Sequence, residues 1–402
     1  MERKGTALMV MKKVPCHLPA IGGSDEPHNP QRLNRLVRCL ESHGASISLR
    51  RLRPEHGGRK TVHAGKPLLV ALLALGTMMN PPASGQGQTI PPRAFVSNEF
   101  GGDVTVIDVG TDRIVGRLRV GPTGVARPRG IALSPDSKTV YVAVTDPTYG
   151  QSEGGRQWQF ILAIDVATAR VGGKYHCGTD PERLDVTPDG TRIYCSNEDA
   201  AGATALDVAS GKVIATVRTG IEPEGVGISP DGRWVYVTAE TSNTITVIDA
   251  KANKPVKNVF VGDRPRFVAF ALDGKRAYIS SEIGGTLAVI DAATQTVIKS
   301  LLLDPGSKPV GVAVAPDGMR IYVVGGRCNC LFAVDAHTFS VTTVAERMGR
   351  RPWGVAVTPD GKRIYTANGR SDDVSVIDAA ALKVLHTIAN VGRGPHSIVI
   401  SR

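Results

Sequence analysis

A proline recurs along this chain with charged residues on both sides of it. The residues that follow this proline are Arg129, Glu182, Glu224, Arg266, Val310, Trp353 and His396. Those that precede it are Arg127, Asp180, Glu222, Arg264, Lys308, Arg351 and Gly394. Guanidinium groups bind carboxylates through paired hydrogen bonds, and carboxylates and imidazoles can transfer protons. These residue types therefore predict a site that binds a polar anion.

The charges around the recurring proline fall into two sectors. The acidic members, from two neighbouring repeats, are Asp180, Glu182, Glu222 and Glu224. Most of the other repeats are basic at these positions, and His396 and Trp353 belong to that side. Because residues two apart on a strand point the same way, each flanking pair should face one side. Two interpretations stay open: the sectors hold an anionic ligand, or they neutralise each other as a ring of ion pairs around water.

A repeat of four short strands must position these residues. Its clearest copy is SPDGRWVYVTAETSNTITVIDA, residues 229–250, in which a turn at Pro230, Asp231 and Gly232 separates two β-prone runs. An aromatic residue follows the turn Asp by five positions at Tyr141, Tyr194, Tyr236, Tyr278, Tyr322 and Tyr365. The usual period of 42 to 44 residues is typical of a propeller blade.

The two ends of the repeat region complement each other. The chain finishes with the strand that precedes the turn, residues 395–401, and the repeats begin with the strand that follows it, residues 94–98. We therefore predict an all-β, seven-bladed β-propeller whose last blade is closed by the N-terminal strand. An open β-solenoid is the alternative. The face that carries the recurring proline should also carry the loops between second and third strands.

One of these loops is longer than the others. Six repeats keep a spacing of 13 from the aromatic residue to the Asp that ends the third strand, but the repeat from Tyr141 to Asp165 has 24. The extra residues, 146–157, contain Tyr149, and Trp158 follows them. Loops on a rigid scaffold often carry function, so Tyr149 and Trp158 are candidates for a partner loop. A tolerated surface excursion is the alternative.

Four cysteines fall in the repeat region. Cys328 and Cys330 would point the same way on a strand, which permits a soft-metal or redox site, a local disulfide, or two free thiols. We favour the disulfide or the thiols, because no His or further Cys lies nearby in sequence. Spacing does not decide whether Cys177 and Cys195 pair.

The first 88 residues lack the repeat. Residues 61–85 resemble a signal peptide, with a basic side, an apolar run from Leu68 to Leu75 and small residues up to Gly85. We expect residues 1–60 to be a leader or an incorrectly assigned start, cleavage near Gly85, and a periplasmic or secreted propeller over residues 86–402. The apolar run is too short for an integral membrane segment. A cytoplasmic extension with one apolar patch is the alternative.

The basic charge belongs mainly to this first segment. Residues 1–88 carry 13 Lys and Arg against 5 Asp and Glu, which is +8 of the formal net charge of +11. The repeats therefore do not favour nucleic-acid binding. Motifs for covalent haem, a nucleophile elbow, a phosphate loop or a zinc protease are missing from the sequence, so we expect no cofactor.

Several segments resemble a known family. The VYVTAE and VTVIDA runs look like YVTN-type β-propellers, and other segments look like the propeller proteins associated with PQQ-dependent catabolism. The segments that carry the second resemblance are residues 93–99, 221–225, 264–267, 281–286 and 365–378. The resemblance covers residues 92–402 and departs from the family in the leader, in residues 146–157 and at Cys328 and Cys330.

The resemblance implies an exported protein that accompanies a quinoprotein alcohol-oxidation system. Our first hypothesis is a monomeric binding or docking module without chemistry of its own, whose partner is a dehydrogenase, its cytochrome or a small ligand. The binding candidates at the channel mouth are then Arg129, Glu182, Glu224, Arg266, Trp353 and His396. The alternative is a lactonase-like hydrolase that uses Glu182, Glu224, Arg266 and His396. Direct PQQ binding is a weaker hypothesis, because eight blades and Trp-docking motifs are not seen. Haem binding lacks support, since His396 is the one candidate axial ligand.

Overall fold

The computed structural model describes residues 91–146, 158–344 and 347–402. The predicted leader, the signal peptide and Tyr149 lie outside these residues. Within them, no helix is long and apolar enough to cross a membrane.

The described chain forms seven sheets of four antiparallel strands each. In chain order the strands are β1 (Arg93–Asn98), β2 (Asp103–Asp108), β3 (Arg113–Arg119), β4 (Arg127–Leu133), β5 (Thr139–Thr145), β6 (Phe160–Asp165), β7 (Arg170–Tyr175), β8 (Pro181–Val186), β9 (Arg192–Asn197), β10 (Gly202–Asp207), β11 (Val213–Arg218), β12 (Pro223–Ile228), β13 (Trp234–Ala239), β14 (Thr244–Asp249), β15 (Lys254–Phe260), β16 (Pro265–Phe270), β17 (Arg276–Ser281), β18 (Thr286–Asp291), β19 (Thr296–Leu302), β20 (Pro309–Val314), β21 (Arg320–Gly325), β22 (Cys330–Asp335), β23 (Val341–Val344), β24 (Pro352–Val357), β25 (Arg363–Asn368), β26 (Asp373–Asp378), β27 (Lys383–Ile388) and β28 (Pro395–Ile400).

Six blades are continuous in sequence, and one is closed by the two ends of the propeller. Blade 1 has the strand order β28-β1-β2-β3, and blades 2 to 7 begin with β4, β8, β12, β16, β20 and β24. Strand β28 pairs with β1 so that Ala94 faces Ile400 and Ser97 faces Ser397. The prediction of a seven-bladed propeller closed by the N-terminal strand is confirmed, and no inner edge is left unpaired.

The turn residues and the tyrosines explain why each repeat folds as a blade. In the turn before β13, Asp231 Oδ1 accepts hydrogen bonds from Ser229 Oγ at 2.5 Å and from the Arg233 backbone N–H at 3.0 Å. Gly232 takes φ +70°, which favours glycine. The following Tyr236 is fully buried and packs against Val268 of the next blade. The repeated tyrosine therefore fills the space between neighbouring sheets.

Both cysteine pairs of the propeller form disulfides. Cys177, before β8, is bonded to Cys195 on β9, and Cys328, in the loop after β21, is bonded to Cys330, the first residue of β22. Bonded sulfurs are not thiolate ligands, so the structure favours the local disulfide, one of the two alternatives that we favoured, over the soft-metal interpretation.

Candidate functional site

The seven inner strands begin at one face of the disc, which we call the channel mouth. Each begins at or next to the recurring proline. The residues after that proline, including Arg129, Glu182, Glu224, Arg266, Trp353 and His396, therefore come together there. Ion pairs and ring contacts connect them across several blades.

A β-bulge follows this proline in every blade. In blade 3, Pro181 pairs with Asn197 while Leu184 pairs with Cys195, so β8 carries one residue more than β9. The same one-residue shift occurs at the start of all seven inner strands. A bulge re-aims side chains, so the second residue after the proline also enters the site.

That second position is glycine in four blades for a steric reason. The four are Gly130, Gly225, Gly311 and Gly354. A Cβ on Gly354 would lie 2.8 Å from the carbonyl oxygen of His396, and one on Gly130 would lie 2.5 Å from that of Glu182. The other three blades carry Arg183, Phe267 and Ser397 at this position, and these three residues meet.

The predicted acidic and basic sectors largely neutralise each other. Arg129 forms an ion pair with Glu182, and its Nη2 lies 3.8 Å from Glu224 Oε1. Arg266 pairs with Glu224 and with Glu240, and its Nε donates to Glu282 Oε2 at 2.7 Å. The ion-pair ring, one of the two open interpretations, is therefore present at the mouth.

A second set of carboxylates completes this ring, and our sequence reasoning missed it. Its members, just after the second strands, are Glu99, Asp146, Glu198, Glu240 and Glu282. Glu99 pairs with Arg127, and Glu282 Oε1 accepts from Arg351 Nη2 at 2.9 Å. An acidic residue four or five positions after the repeated aromatic was the available signal.

Burial raises the pKa of some of these carboxyl groups, and neighbouring arginines lower the pKa of others. Burial raises the pKa of Glu182, and repulsion from Glu224 adds to that effect despite Arg129. Burial also raises the pKa of Glu240, again with Glu224 beside it. For Glu224 burial acts in the same direction, but Arg266 and Arg129 outweigh it and hold its pKa well below the usual range. Glu224 is therefore the carboxylate most firmly held as an anion.

Arg183 is a buried cation that the ring leaves uncompensated. Its exposure is 7%, and no carboxylate among the described residues lies within ion-pair distance of its guanidinium. Nη1 donates to Ser397 Oγ at 3.2 Å, and the guanidinium carbon lies 4.5 Å from the ring centre of Phe267. Burial lowers the pKa of Arg183 to about 10, although Glu224 offsets part of this effect through space. The side chain therefore remains charged at neutral pH in a place where an anion would stabilise it.

His396 lies beside this cation as a neutral imidazole. It is 2% exposed, and burial lowers its pKa to about 3. Nδ1 lies 3.1 Å from Ser397 Oγ, while Nε2 has no hydrogen-bond partner among the described residues. The ring stacks on Trp353 with 5.4 Å between centroids and 24° between planes. One ring nitrogen is thus available for a ligand or a water molecule.

The carboxylates could hold a metal ion by distance alone. Asp180, Glu182 and Glu198 can bring oxygens within 4.8 Å of one another, and so can Glu198, Glu224 and Glu240. Arg129 already pairs with Glu182, and Arg266 with Glu224 and Glu240, so three of these five carboxylates have a guanidinium partner. Each cluster therefore shares members with the ion-pair ring.

The candidate partner loop is described at its two ends, Asp146 and Trp158. The ring centroid of Trp158 lies 6.0 Å from that of Phe160, and the indole packs over Gly121 at the edge of the core between blades 1 and 2. A Cβ on Gly121 would lie 2.6 Å from this indole. Trp158 therefore anchors the end of the insertion, and its role towards a partner stays a prediction.

Comparison with known proteins points to lactonases and to propellers in general. The family profile described as "Lactonase, 7-bladed beta-propeller" matches residues 251–390, which include Arg266, Glu282 and Trp353. No curated protein sequence matches this chain.

Solved structures share the fold at low sequence identity. The periplasmic gluconolactonase of Pseudomonas aeruginosa has a TM-score of 0.63 and 20% identity, over 77% of this chain and 99% of that one. Hydrazine synthase of Kuenenia stuttgartiensis has a TM-score of 0.60 and 21% identity, over 69% and 90%. A functionally unknown protein of Desulfotomaculum acetoxidans has a TM-score of 0.64 and 16% identity, over 77% and 99%. At such identities these likenesses show the fold alone.

Proposed function

We propose that this chain is a lactonase-like hydrolase whose site is the channel mouth. The observation that carries the proposal is that a cation without an ion pair, Arg183, and a neutral imidazole, His396, both contact the Oγ of Ser397. Hydrolysis of a lactone needs a group that accepts a proton from water and a cation where the carbonyl oxygen becomes negative. The mouth supplies one residue of each kind.

In the proposed reaction, water attacks the lactone carbonyl carbon while His396 Nε2 accepts its proton. The tetrahedral oxyanion is stabilised by the Arg183 guanidinium. The ring C–O bond then breaks, and the imidazolium returns the proton to the leaving alkoxide, so that lactone and water give a hydroxy acid. His396 is neutral throughout the physiological range, so its Nε2 lone pair is present, and its pKa of about 3 makes it a weak base that the proposed step must strengthen as substrate binds.

The surrounding residues would position the substrate. Trp353 offers an indole face beside His396, and Arg266 and Arg351 lie over the same indole at 5.7 Å and 4.2 Å. Glu224 and Glu282 fix these arginines through ion pairs. The match of residues 251–390 to the lactonase profile supports the proposal, since that segment holds Trp353 and Arg266.

The test is turnover of a panel of γ- and δ-lactones of sugar acids, followed by acid release with a pH indicator. We expect His396→Gln and Arg183→Met to lower kcat by about 10²-fold or more. His337→Gln and Arg113→Met, both at exposed positions, are the matched controls and should retain full activity. If the wild-type protein hydrolyses no lactone faster than the His396→Gln/Arg183→Met double variant, the hydrolase proposal is wrong.

A second candidate is a docking protein of a quinoprotein alcohol-oxidation system, exported and without turnover. One specific observation favours it: the segments that resemble the PQQ-associated propellers supply the ion-pair ring, including Glu99, Glu224, Arg266 and Glu282. The two disulfides favour export, since disulfides persist in oxidising compartments. Purification from the periplasm should then give a monomer that starts near Gln86 and retains a dehydrogenase or cytochrome. Loss of that partner on deletion of residues 147–157 would support docking, and an intact Met1 in the cytoplasm would contradict export.

A further inference from the structure

A cavity lies beside the ion-pair ring, on the same face, between blades 6 and 7. Its volume is about 440 Å³, and its lining residues are Lys308, Gly326, Arg327, Asn329, Arg350, Arg351 and Arg370. Five of the seven are cationic, and none is acidic. We call this cavity the basic pocket.

The positive charge of the basic pocket is mostly uncompensated within the described residues. Of its five cations only Arg351 has an ion pair there, with Glu282 at 2.9 Å. Arg350 Nη2 donates instead to the backbone carbonyl of Arg370 at 3.2 Å. Like charges gathered around one concavity repel each other, and an anion in the cavity would relieve that repulsion.

The backbone holds these side chains at a conformational cost. Lys308, Asn329 and Arg351 have φ of 54°, 57° and 55°, a region in which glycine would avoid the Cβ penalty. The equivalent residue of blade 1, Gly394, is a glycine at φ 67°. The same position has φ of 49°, 55° and 58° at Asp180, Glu222 and Arg264, so the positive φ belongs to the repeat, and in blades 6 and 7 it carries a cationic side chain.

The loop disulfide shapes the wall of the basic pocket. The Cys328–Cys330 bond closes the turn that carries Arg327 and Asn329. Asn329 Oδ1 accepts the backbone N–H of Arg351 at 2.7 Å, which joins this turn to blade 7. A Cβ on Gly326 would lie 3.1 Å from Arg351 Nη1, so glycine leaves room for the guanidinium. Arg351 is therefore held in place before any ligand arrives, while Arg327, Arg350 and Arg370 line the pocket as exposed side chains.

We propose that the basic pocket binds a compact polyanion that carries two or more carboxylate or phosphate groups. Guanidinium groups match both kinds of anion with paired hydrogen bonds. The cavity is concave and of the size that small ligands occupy, which favours a small molecule over the flat surface of an acidic protein. This site does not depend on lactone hydrolysis. Arg351 connects the two sites, because it lines the pocket and also contacts Glu282 and Trp353 at the channel mouth.

Calorimetry at constant ionic strength tests the proposal, with citrate and inorganic pyrophosphate as separate probes against a chloride background. We expect at least one probe to bind the wild-type protein. Arg327→Gln/Arg370→Gln should weaken that binding by about tenfold or more, because each substitution removes a charge-assisted contact. Arg113→Gln/Arg218→Gln removes the same charge from exposed positions elsewhere and should leave affinity unchanged.

Two further measurements complete the test: binding and melting of a variant that lacks the loop disulfide, and lactone turnover. Cys328→Ser/Cys330→Ser should weaken binding while the thermal melt stays close to that of the wild type, since the bond closes only a short turn. The proposal is overturned if neither probe binds, if both charge pairs of substitutions have equal effects, or if only an acidic polypeptide or DNA binds. Lactone turnover is measured on the same variants, so that a failure of the anion-binding proposal can be distinguished from a failure of the hydrolase proposal.

Discussion

Arg183 Nη1 donates a hydrogen bond to Ser397 Oγ at 3.2 Å, although the two residues are 214 positions apart in sequence. The bond joins β8 of blade 3 directly to β28 of blade 1, although blade 2 lies between these two blades in the ring. It also brings a buried guanidinium next to the serine that contacts His396. The centre of the mouth is therefore built from blades that are distant in the chain.

The uncompensated charge of Arg183 should make it dispensable for stability. Replacing it with Met removes a buried cation whose pKa is lowered by burial, so the free energy of unfolding should stay constant or rise by up to about 3 kcal/mol. Arg129→Met is the contrasting variant, because it leaves Glu182 buried without its partner and should cost about 3–5 kcal/mol. Denaturant unfolding measures both. Equal losses would show that Arg183 has a stabilising partner.

His396 should make the protein less stable in acid. Its folded pKa of about 3 lies below the ordinary value of 6.5, so the unfolded chain binds a proton that the native chain does not. The contribution of the neutral imidazole to the free energy of unfolding is complete above pH 6.5. It is lost as the pH falls towards 3, by an amount of the order of 4 kcal/mol. Unfolding of wild-type and His396→Gln proteins between pH 4 and 7.5 should show a flatter dependence for the variant. His337→Gln, at an exposed turn, should follow the wild type; a His396→Gln curve parallel to both would contradict the buried neutral state.

Close approach of the inner strands predicts that a single methyl group can disturb the site. In Gly354→Ala the new Cβ would lie 2.8 Å from the His396 carbonyl oxygen and 2.9 Å from Ser397 Cα. Backbone must move to admit it, so we expect a loss of about 1–3 kcal/mol in the free energy of unfolding and a shifted His396. Gly172→Ala on β7, where the nearest atom is 3.9 Å away, should change stability little. Equal melting temperatures for the two variants would mean that the inner strands adjust freely.

The two disulfides should differ in their contribution to stability. Cys177 and Cys195 are 18 residues apart, and opening that loop should cost about 3 kcal/mol through the entropy of the unfolded chain. Cys328 and Cys330 are separated by 2, so their bond constrains the unfolded chain far less. Melting temperatures of the paired Cys→Ser variants test this order. A larger loss for Cys328→Ser/Cys330→Ser would show that the short turn supports more of blade 6 than loop closure explains.

The sequence predicts most reliably those features of the fold that are encoded in every repeat. The turn Asp and the tyrosine, as at Asp231 and Tyr236, recur at a fixed spacing, and this spacing predicts both the blades and their number. It also predicts that His396 and Arg129 reach one face, because each follows the same proline. Arg183 could not be predicted in this way. It lies one position beyond Glu182, and the alternation of side chains along a strand would point it away from the channel.

The sequence by itself determined the seven blades, their closure by β1 and β28, and the set of side chains gathered at the mouth, because local turns and β-prone runs recur in a fixed order. The tertiary structure alone decided which of those charges find partners. The bulge after each proline changes side-chain direction, so Arg183 enters the channel although alternation predicts otherwise. Pairing between Arg266 and Glu224, or the lack of a partner for Arg183, depends on distances between separate blades. Ring closure sets those distances, and no local pattern of residues encodes them.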